Sequence, residues 1–182
     1  MKSNKSKPNS SPVFDIEYIK SNTDNKEATI LLEQAYQNLN DIENHADFSK
    51  SLNSLKNEAD LKLNGTDFEV TLSYIVVLEQ SSYFWKPMEL GGSGEGYQIL
   101  LNQQSKFSGN NLKRKVSPCT KAVIAADGAA AASACLAGGV GGWIVGALNP
   151  TAFAARVAIA SAAGSGYAYL TNPACDDDVK ED

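Results

Sequence analysis

The chain has few of the residues that usually carry chemistry, since its 182 residues include one histidine, three cysteines and two tryptophans. Cys119, Cys135 and Cys175 are too far apart in sequence for the short spacings of zinc ligands. His45 comes with no serine or cysteine motif of a nucleophilic enzyme, so we interpret it as an ordinary surface histidine. We therefore expect no metal, no cofactor, no small-molecule substrate and no enzymatic activity.

Positive charge is also scarce, because 16 Lys and Arg stand against 21 Asp and Glu and the formal net charge is -5. This balance argues against a general nucleic-acid-binding protein, which needs a basic surface for the phosphates. Residues 1–12 lack the apolar stretch of a Sec-type signal peptide. Either the protein is cytosolic, or it is exported by a route that needs no such signal, or a signal has been removed.

The dominant feature is an apolar segment, residues 119–175. It contains 57 residues, of which 19 are alanine, and its charges are limited to Lys121, Asp127 and Arg156. Asn149-Pro150 divides it, which predicts two hydrophobic helices folded as a hairpin. Such a hairpin favours a lipid bilayer or a tightly packed helical partner. Insertion into a bilayer would be marginal, because small residues dominate and a buried Arg156 costs about 3 kcal/mol.

Small residues recur at every fourth position of the hairpin, as in a glycine zipper. On a helix this spacing forms one stripe along which two backbones can approach closely. The predicted helix-packing residues are Ala126, Ala130, Ala134, Gly138, Gly142 and Gly146 in the first helix and Ala154, Ala158, Ala162 and Gly166 in the second.

The outer cysteines lie at the two ends of the hairpin. If the chain turns at Asn149-Pro150, Cys175 lies near Ile124, about one helical turn from Cys119. A disulfide between Cys119 and Cys175 would join the ends and leave Cys135 free. The alternative is three reduced thiols in a reducing compartment.

The front half predicts a small helical bundle at residues 23–87, preceded by a flexible arm at 1–22 whose apolar end can dock. Apolar residues recur every three to four positions from Asp24, with Glu27 three residues later as a capping signal, and again from Asp47 to a stop at Asn64-Gly65. Thr66 and Glu69 then predict a capping box at the start of the next helix. Phe68–Trp85 predicts a buried helix, with a strand as the alternative because the segment is rich in Val, Ile and Tyr. The predicted fold class is therefore all-α, with the bundle followed by the hydrophobic hairpin.

Residues 88–118 predict a linker, first Gly-rich and then basic. The segment around Gly91 and Gly92 is either a flexible connection or a processing site that resembles the end of a double-glycine leader. The basic residues fit an anionic lipid surface or, alternatively, neutralise the acidic tail at 176–182. They are Lys106, Lys113, Arg114, Lys115 and Lys121.

The small-residue hairpin, its flanking cysteines, the preceding basic residues and Gly91-Gly92 together resemble bacteriocin-type exported peptides. The order of a helical domain and then a hydrophobic hairpin is similar to the plan of colicin pore domains. This resemblance, which covers 119–175, implies a secreted or membrane-associated bacterial toxin whose hairpin enters a bilayer or self-associates, with a possible immunity protein. The alternative is a non-enzymatic structural or interaction protein, cytoplasmic or otherwise, whose hairpin packs in a soluble assembly or against a partner protein.

Overall fold

The computed structural model describes residues 15–43, 45–98, 116–138, 164–166, 168, 172 and 175. Within these residues 84% are helical and none belongs to a strand, so the all-α prediction is confirmed. The segment Phe68–Trp85 is helical throughout, which excludes the strand alternative.

Five α-helices and two short 3₁₀ helices account for most of the described chain. Residues 95–98 form one further helical turn. The elements are α1 (Ile16–Ser21), α2 (Lys26–Gln37), a 3₁₀ helix (Asn38–Asp41), α3 (His45–Lys62), α4 (Gly65–Trp85), a 3₁₀ helix (Met88–Leu90) and α5 (Pro118–Gly138).

Helix α1 forms the end of the predicted N-terminal arm. The Asp15 side chain caps it by accepting a hydrogen bond from the backbone N–H of Glu17. Ile16 and Ile19 are buried in the main core, because these two positions lie on one face of the helix. The arm therefore docks at its end, as expected, and residues 1–14 lie outside the described residues.

Helix α2 begins one residue later than the sequence indicated. The predicted cap was Asp24, but the N-cap is Asn25, whose side chain accepts from the backbone N–H of Glu27. Asn and Asp are about equally good N-caps, so sequence alone does not separate adjacent candidates.

Helix α4 begins at Gly65, and the predicted capping box of Thr66 and Glu69 is wrong. The N-cap is Asn64, which makes no side-chain capping bond, and Gly65 adopts a left-handed φ of 56° that glycine tolerates without strain. Glu69 lies in the following turn, is only 7% exposed and does not reach back to the helix start. Burial raises the pKa of its carboxyl group.

One hydrophobic core joins the bundle to the first half of the predicted hairpin. Buried residues of α1 to α4 pack in the same cluster as Val116, Ile124, Ala129, Ala132 and Cys135. Helices α4 and α5 are apolar on nearly all sides, as expected for helices surrounded by protein. The bundle and α5 are therefore packed together in this state rather than separated by a linker.

Candidate functional site

Helix α5 lies antiparallel along α4. At its middle, Asp127 contacts Ser81 and Trp85 close to the end of α4. Near its end, Cys135 lies beside Ser73, which is closer to the beginning of α4 and lowers the pKa of the Cys135 thiol against the opposing effect of burial. Residue numbers therefore increase along α5 as they decrease along α4, which shows that the two helices are antiparallel.

The α4-facing side of α5 is made mostly of small residues. A Cβ added to Gly128 would lie 3.0 Å from Cε2 of Tyr74 and 3.4 Å from Cδ1 of Leu78, so this glycine lets α5 rest directly on the Tyr74 ring. Ala129 and Ala132 are fully buried in the same core. The contact is consequently close, but each of these small side chains contributes little apolar area.

The opposite side of α5 carries residues of the predicted stripe and faces Gly164 and Ala168. Ala126 and Ala130 are buried, and a Cβ added to Gly164 would lie 2.7 Å from the Ala126 carbonyl oxygen and 3.0 Å from the Ala130 Cβ. Ala168 packs in a second small cluster with Ala126. Backbone contact through the stripe is thus present at these residues.

The stripe in the second half has a different phase from the prediction. The predicted residue Gly166 is exposed, and an added Cβ there would have nothing within 4 Å. Gly164 and Ala168, which were not predicted, occupy the packing face at a spacing of four residues. The spacing alone does not separate the two phases, because Ala160, Gly164 and Ala168 are also small residues four apart.

Cys119 and Cys175 form a disulfide with their Cα atoms 4.6 Å apart, which confirms the predicted pair. Cys135 is free and buried, also as predicted. Trp85 packs against the cluster that contains both bonded cysteines. The disulfide fixes residue 175 to the first turn of α5.

Asp127 is the charged residue inside this apolar region, and it is only 3% exposed. Its Oδ2 accepts hydrogen bonds from the Ser81 hydroxyl at 2.5 Å and from the Trp85 indole N–H at 3.1 Å. Its Oδ1 accepts from the Ser165 hydroxyl. Burial raises the pKa of Asp127, while the hydrogen bonds from these three residues oppose that shift. One carboxylate therefore joins α4, α5 and the 164–166 segment.

The Gly-rich segment after α4 is a hydrogen-bonded turn, not a flexible linker, at residues 91–96. Gly91 has a left-handed φ of 81°, and a Cβ on Gly92 would lie 2.1 Å from the Lys86 carbonyl oxygen. The Ser93 N–H donates to the Tyr83 carbonyl at 2.7 Å. Gly91 and Gly92 thus have a structural reason to be glycine, and cleavage after Gly92 stays a prediction.

Lys86 lies beneath this turn and is fully buried. Its Nζ donates to the Ile42 carbonyl oxygen at 3.3 Å and lies 5.6 Å from the centroid of the Phe48 ring. Burial lowers the pKa of Lys86 to about 8. The residue connects the end of α4 to the segment between α2 and α3.

The remaining predicted residues divide into described and undescribed ones. Lys121 is half-buried and donates to the Asn40 carbonyl at 3.5 Å, so it is partly engaged within the fold. Ala134 is half-buried on α5, and Gly138 ends that helix. The others lie outside the described residues: Lys106, Lys113, Arg114, Lys115, Gly142, Gly146, Ala154, Ala158, Ala162 and Arg156.

Among the described helices, α5 is the one long and apolar enough to cross a membrane. The span Pro118–Ala137 has a mean hydropathy of 1.3, and 72% of it is buried inside the protein. A buried core helix of a water-soluble protein meets the same criteria. In the folded protein most of this span is therefore shielded from solvent.

Comparison with protein-family models, with curated proteins and with solved structures finds no match for this chain.

Two parts of the site were missed from sequence. The partners of Asp127 were not predicted, although an aspartate within an apolar helix is a recognised signal for a polar contact. Gly164 could have been found from its spacing of four to Ala168. The donors Ser81 and Trp85 share one face of α4 at the same spacing, but nothing local distinguishes them from other buried residues of that helix.

Proposed function

We propose that the protein is membrane-active, in the manner of exported bacterial toxins, and that the folded state stores an apolar hairpin for delivery to a lipid bilayer. The observation that carries this proposal is the small-residue contact between α5 and α4. In this contact an apolar helix of membrane-spanning length is covered, and its small side chains each lose little buried apolar area when the helices separate.

The energetics of that contact support detachment. Burying one methylene-sized group stabilises a fold by about 0.8 kcal/mol, whereas a Leu or Phe side chain contributes about 1.5 to 3 kcal/mol. The core-facing side of α5 includes Gly128, Ala129 and Ala132. Its large, fully buried side chain is Ile124, so small residues predominate on this side without being the whole of it. Compared with a Leu-rich core helix, α5 gives up less apolar contact when it leaves α4.

The disulfide also fits export, because disulfides persist in oxidising compartments outside the cytosol. The basic residues that precede α5 fit an anionic lipid surface, at about 1 kcal/mol for each charge near the headgroups. Cleavage after Gly92 and an immunity partner belong to the same proposal.

Dye release from lipid vesicles tests the function. We expect the full-length, disulfide-bonded protein to release dye from vesicles rich in phosphatidylglycerol and to release less from phosphatidylcholine vesicles. Absence of both dye release and vesicle co-sedimentation with either lipid would contradict the proposal.

A covalent lock between α4 and α5 provides the matched control. Because Ser73 lies close enough to the Cys135 thiol to influence its pKa, we choose Ser73→Cys as the variant for a second disulfide across the two helices. The oxidised variant should lose dye release, whereas Ser73→Ala should retain it. Equal release by both would mean that the hairpin does not need to leave α4.

The second candidate is a non-enzymatic interaction protein in which the hairpin never leaves the bundle. The observation in its favour is the 72% burial of the apolar span of α5. Exposed apolar side chains such as Leu61 and Met88, at 85% and 71% exposure, would then belong to a protein contact. A stable oligomer by light scattering, together with no vesicle binding, would favour this function.

A further inference from the structure

Asp127 makes two kinds of contact: one with the 164–166 segment that packs on α5, and one with α4 of the bundle. Oδ1 is bonded by Ser165, which belongs to the hairpin, whereas Oδ2 is bonded by Ser81 and Trp85, which belong to α4. The Cys119–Cys175 disulfide lies on the hairpin side of this division. If the hairpin separates from α4 as a unit, the Oδ1 contact and the disulfide persist, and the two bonds to Oδ2 break.

Breaking those two bonds is costly in comparison with the apolar contact. A hydrogen bond to a charged group contributes more than one between neutral groups, and a variant that lacks one of the donors leaves a buried charge short of a partner in the closed state. The α4-facing residues near Asp127 are small, with Gly128 next to it in sequence. At the middle of α5 the polar contact is therefore the strongest directional interaction with α4.

We propose that Ser81, Trp85 and Asp127 form an autoinhibitory latch that holds α5, together with residues 164–166 and 175 that are attached to it, against α4, and whose opening releases these residues as a unit. The inference rests on the proposed function for its biological meaning. The latch itself is a property of the folded protein and can be measured without a membrane.

Cys135 supplies a native reporter for the opening. It is free, buried at 6% exposure and packed in the α4–α5 core beside Ser73. A thiol reagent reaches it only when α5 moves away from α4 or when the whole protein unfolds. The rate of alkylation by iodoacetamide, under native conditions with the disulfide intact, therefore measures separation of the two helices.

The experiment compares variants that each remove one hydrogen-bond donor to Asp127, either a donor on α4 or the donor at Ser165. Ser81→Ala removes a donor that bridges to α4, and Trp85→Phe removes the indole N–H while keeping an aromatic ring. Each should accelerate Cys135 alkylation by about tenfold or more, the factor expected for loss of one charge-assisted hydrogen bond. Ser165→Ala removes a donor inside the hairpin and should change the rate by less than about twofold.

Global destabilisation is controlled with Ile42→Val, a mild truncation of a fully buried side chain in the segment between α2 and α3. Alkylation that is no faster in Ser81→Ala than in Ile42→Val at equal free energy of unfolding would overturn the latch. Equal acceleration by Ser165→Ala and Ser81→Ala would overturn it as well.

Vesicle assays on the same variants separate the latch from the proposed function. With a working latch and a membrane-active hairpin, Ser81→Ala should release dye faster than Ser165→Ala. If alkylation follows the expected order but neither variant nor the original protein binds vesicles, the latch stands and the membrane function is overturned.

Discussion

Gly164 and Gly166 form a matched pair for testing how closely the second half of the hairpin approaches α5. Both are glycines in the same helical turn, and both lie on the side of the hairpin distant from α4. A Cβ on Gly164 would lie 2.7 Å from the Ala126 carbonyl oxygen and 3.0 Å from the Ala130 Cβ, whereas a Cβ on Gly166 would meet nothing within 4 Å. The same substitution, Gly to Ala, therefore has opposite consequences at two positions only two residues apart.

The magnitude follows from the contact distances. Non-bonded carbon atoms are at their optimum at about 3.5 to 4.0 Å, so the new methyl of Gly164→Ala forces the two backbones about 1 Å apart. Overpacking of this kind costs about 1 to 3 kcal/mol. Gly166→Ala should instead stabilise by about 0.5 to 1 kcal/mol through helix propensity. Since propensity is common to both variants, their difference isolates the steric cost.

Denaturation in guanidinium chloride at pH 7, with the disulfide intact, measures the difference. We expect Gly164→Ala to be less stable than Gly166→Ala by at least about 1 kcal/mol, with equal denaturant slopes. If Gly164→Ala proved as stable as Gly166→Ala, the close approach of the stripe would be refuted.

Three further predictions concern buried polar groups and the disulfide. Lys86→Met should be more stable than the original protein at pH 7 by about 1 kcal/mol. This advantage should shrink from pH 8 towards pH 10 in denaturation curves, because the folded-state amine, with a pKa of about 8, loses its proton before the unfolded one does. The original protein should gain stability relative to Asp127→Asn as pH falls from 7 to 4, since burial raises the carboxyl pKa and the folded state then binds the proton more tightly; a constant difference would contradict this. Cys175→Ser should lower the free energy of unfolding by about 4 kcal/mol, the loop-entropy value for the 57-residue loop that the disulfide closes, and unchanged stability would contradict that entropy argument.

Local sequence signals were sufficient for the helices of the bundle. The apolar period from Ala28 to Ile42 and from Phe48 to Leu63 matches residues that are buried in the structure, because period and burial are two aspects of the same helix face. The stop at Asn64-Gly65 was also correct, and its reason is the left-handed backbone of Gly65. Cap residues were less certain because neighbouring polar residues can serve equally well.

Features that depend on how segments pair were only partly predictable. The disulfide followed from the end-to-end layout of the hairpin, yet Cys175 lies opposite Cys119 and not near Ile124. The error at Gly166 has a separate reason, because small residues recur at spacing four in two phases of the second half. Asp127 appeared in the sequence as an isolated charge, but its donors lie 46 and 42 residues earlier in the chain. Hydrogen bonds between residues so far apart in sequence leave no local sequence pattern from which they could be predicted.

The arrangement of α5 also changes what its composition means. A helix that touches α4 on one side and residues 164–168 on the other requires small residues on both sides if both backbones are to lie close, whether or not it ever meets lipid. The alanine and glycine content is therefore explained by the fold itself. What the fold does not require is a carboxylate at position 127, because an apolar residue there would avoid the cost of burying a charge. One oxygen of Asp127 accepts from Ser165 and the other accepts from α4. In the proposed opening, the bonds to α4 break and the bond to Ser165 remains, so Asp127 lies at the boundary between the part that moves and the part that stays.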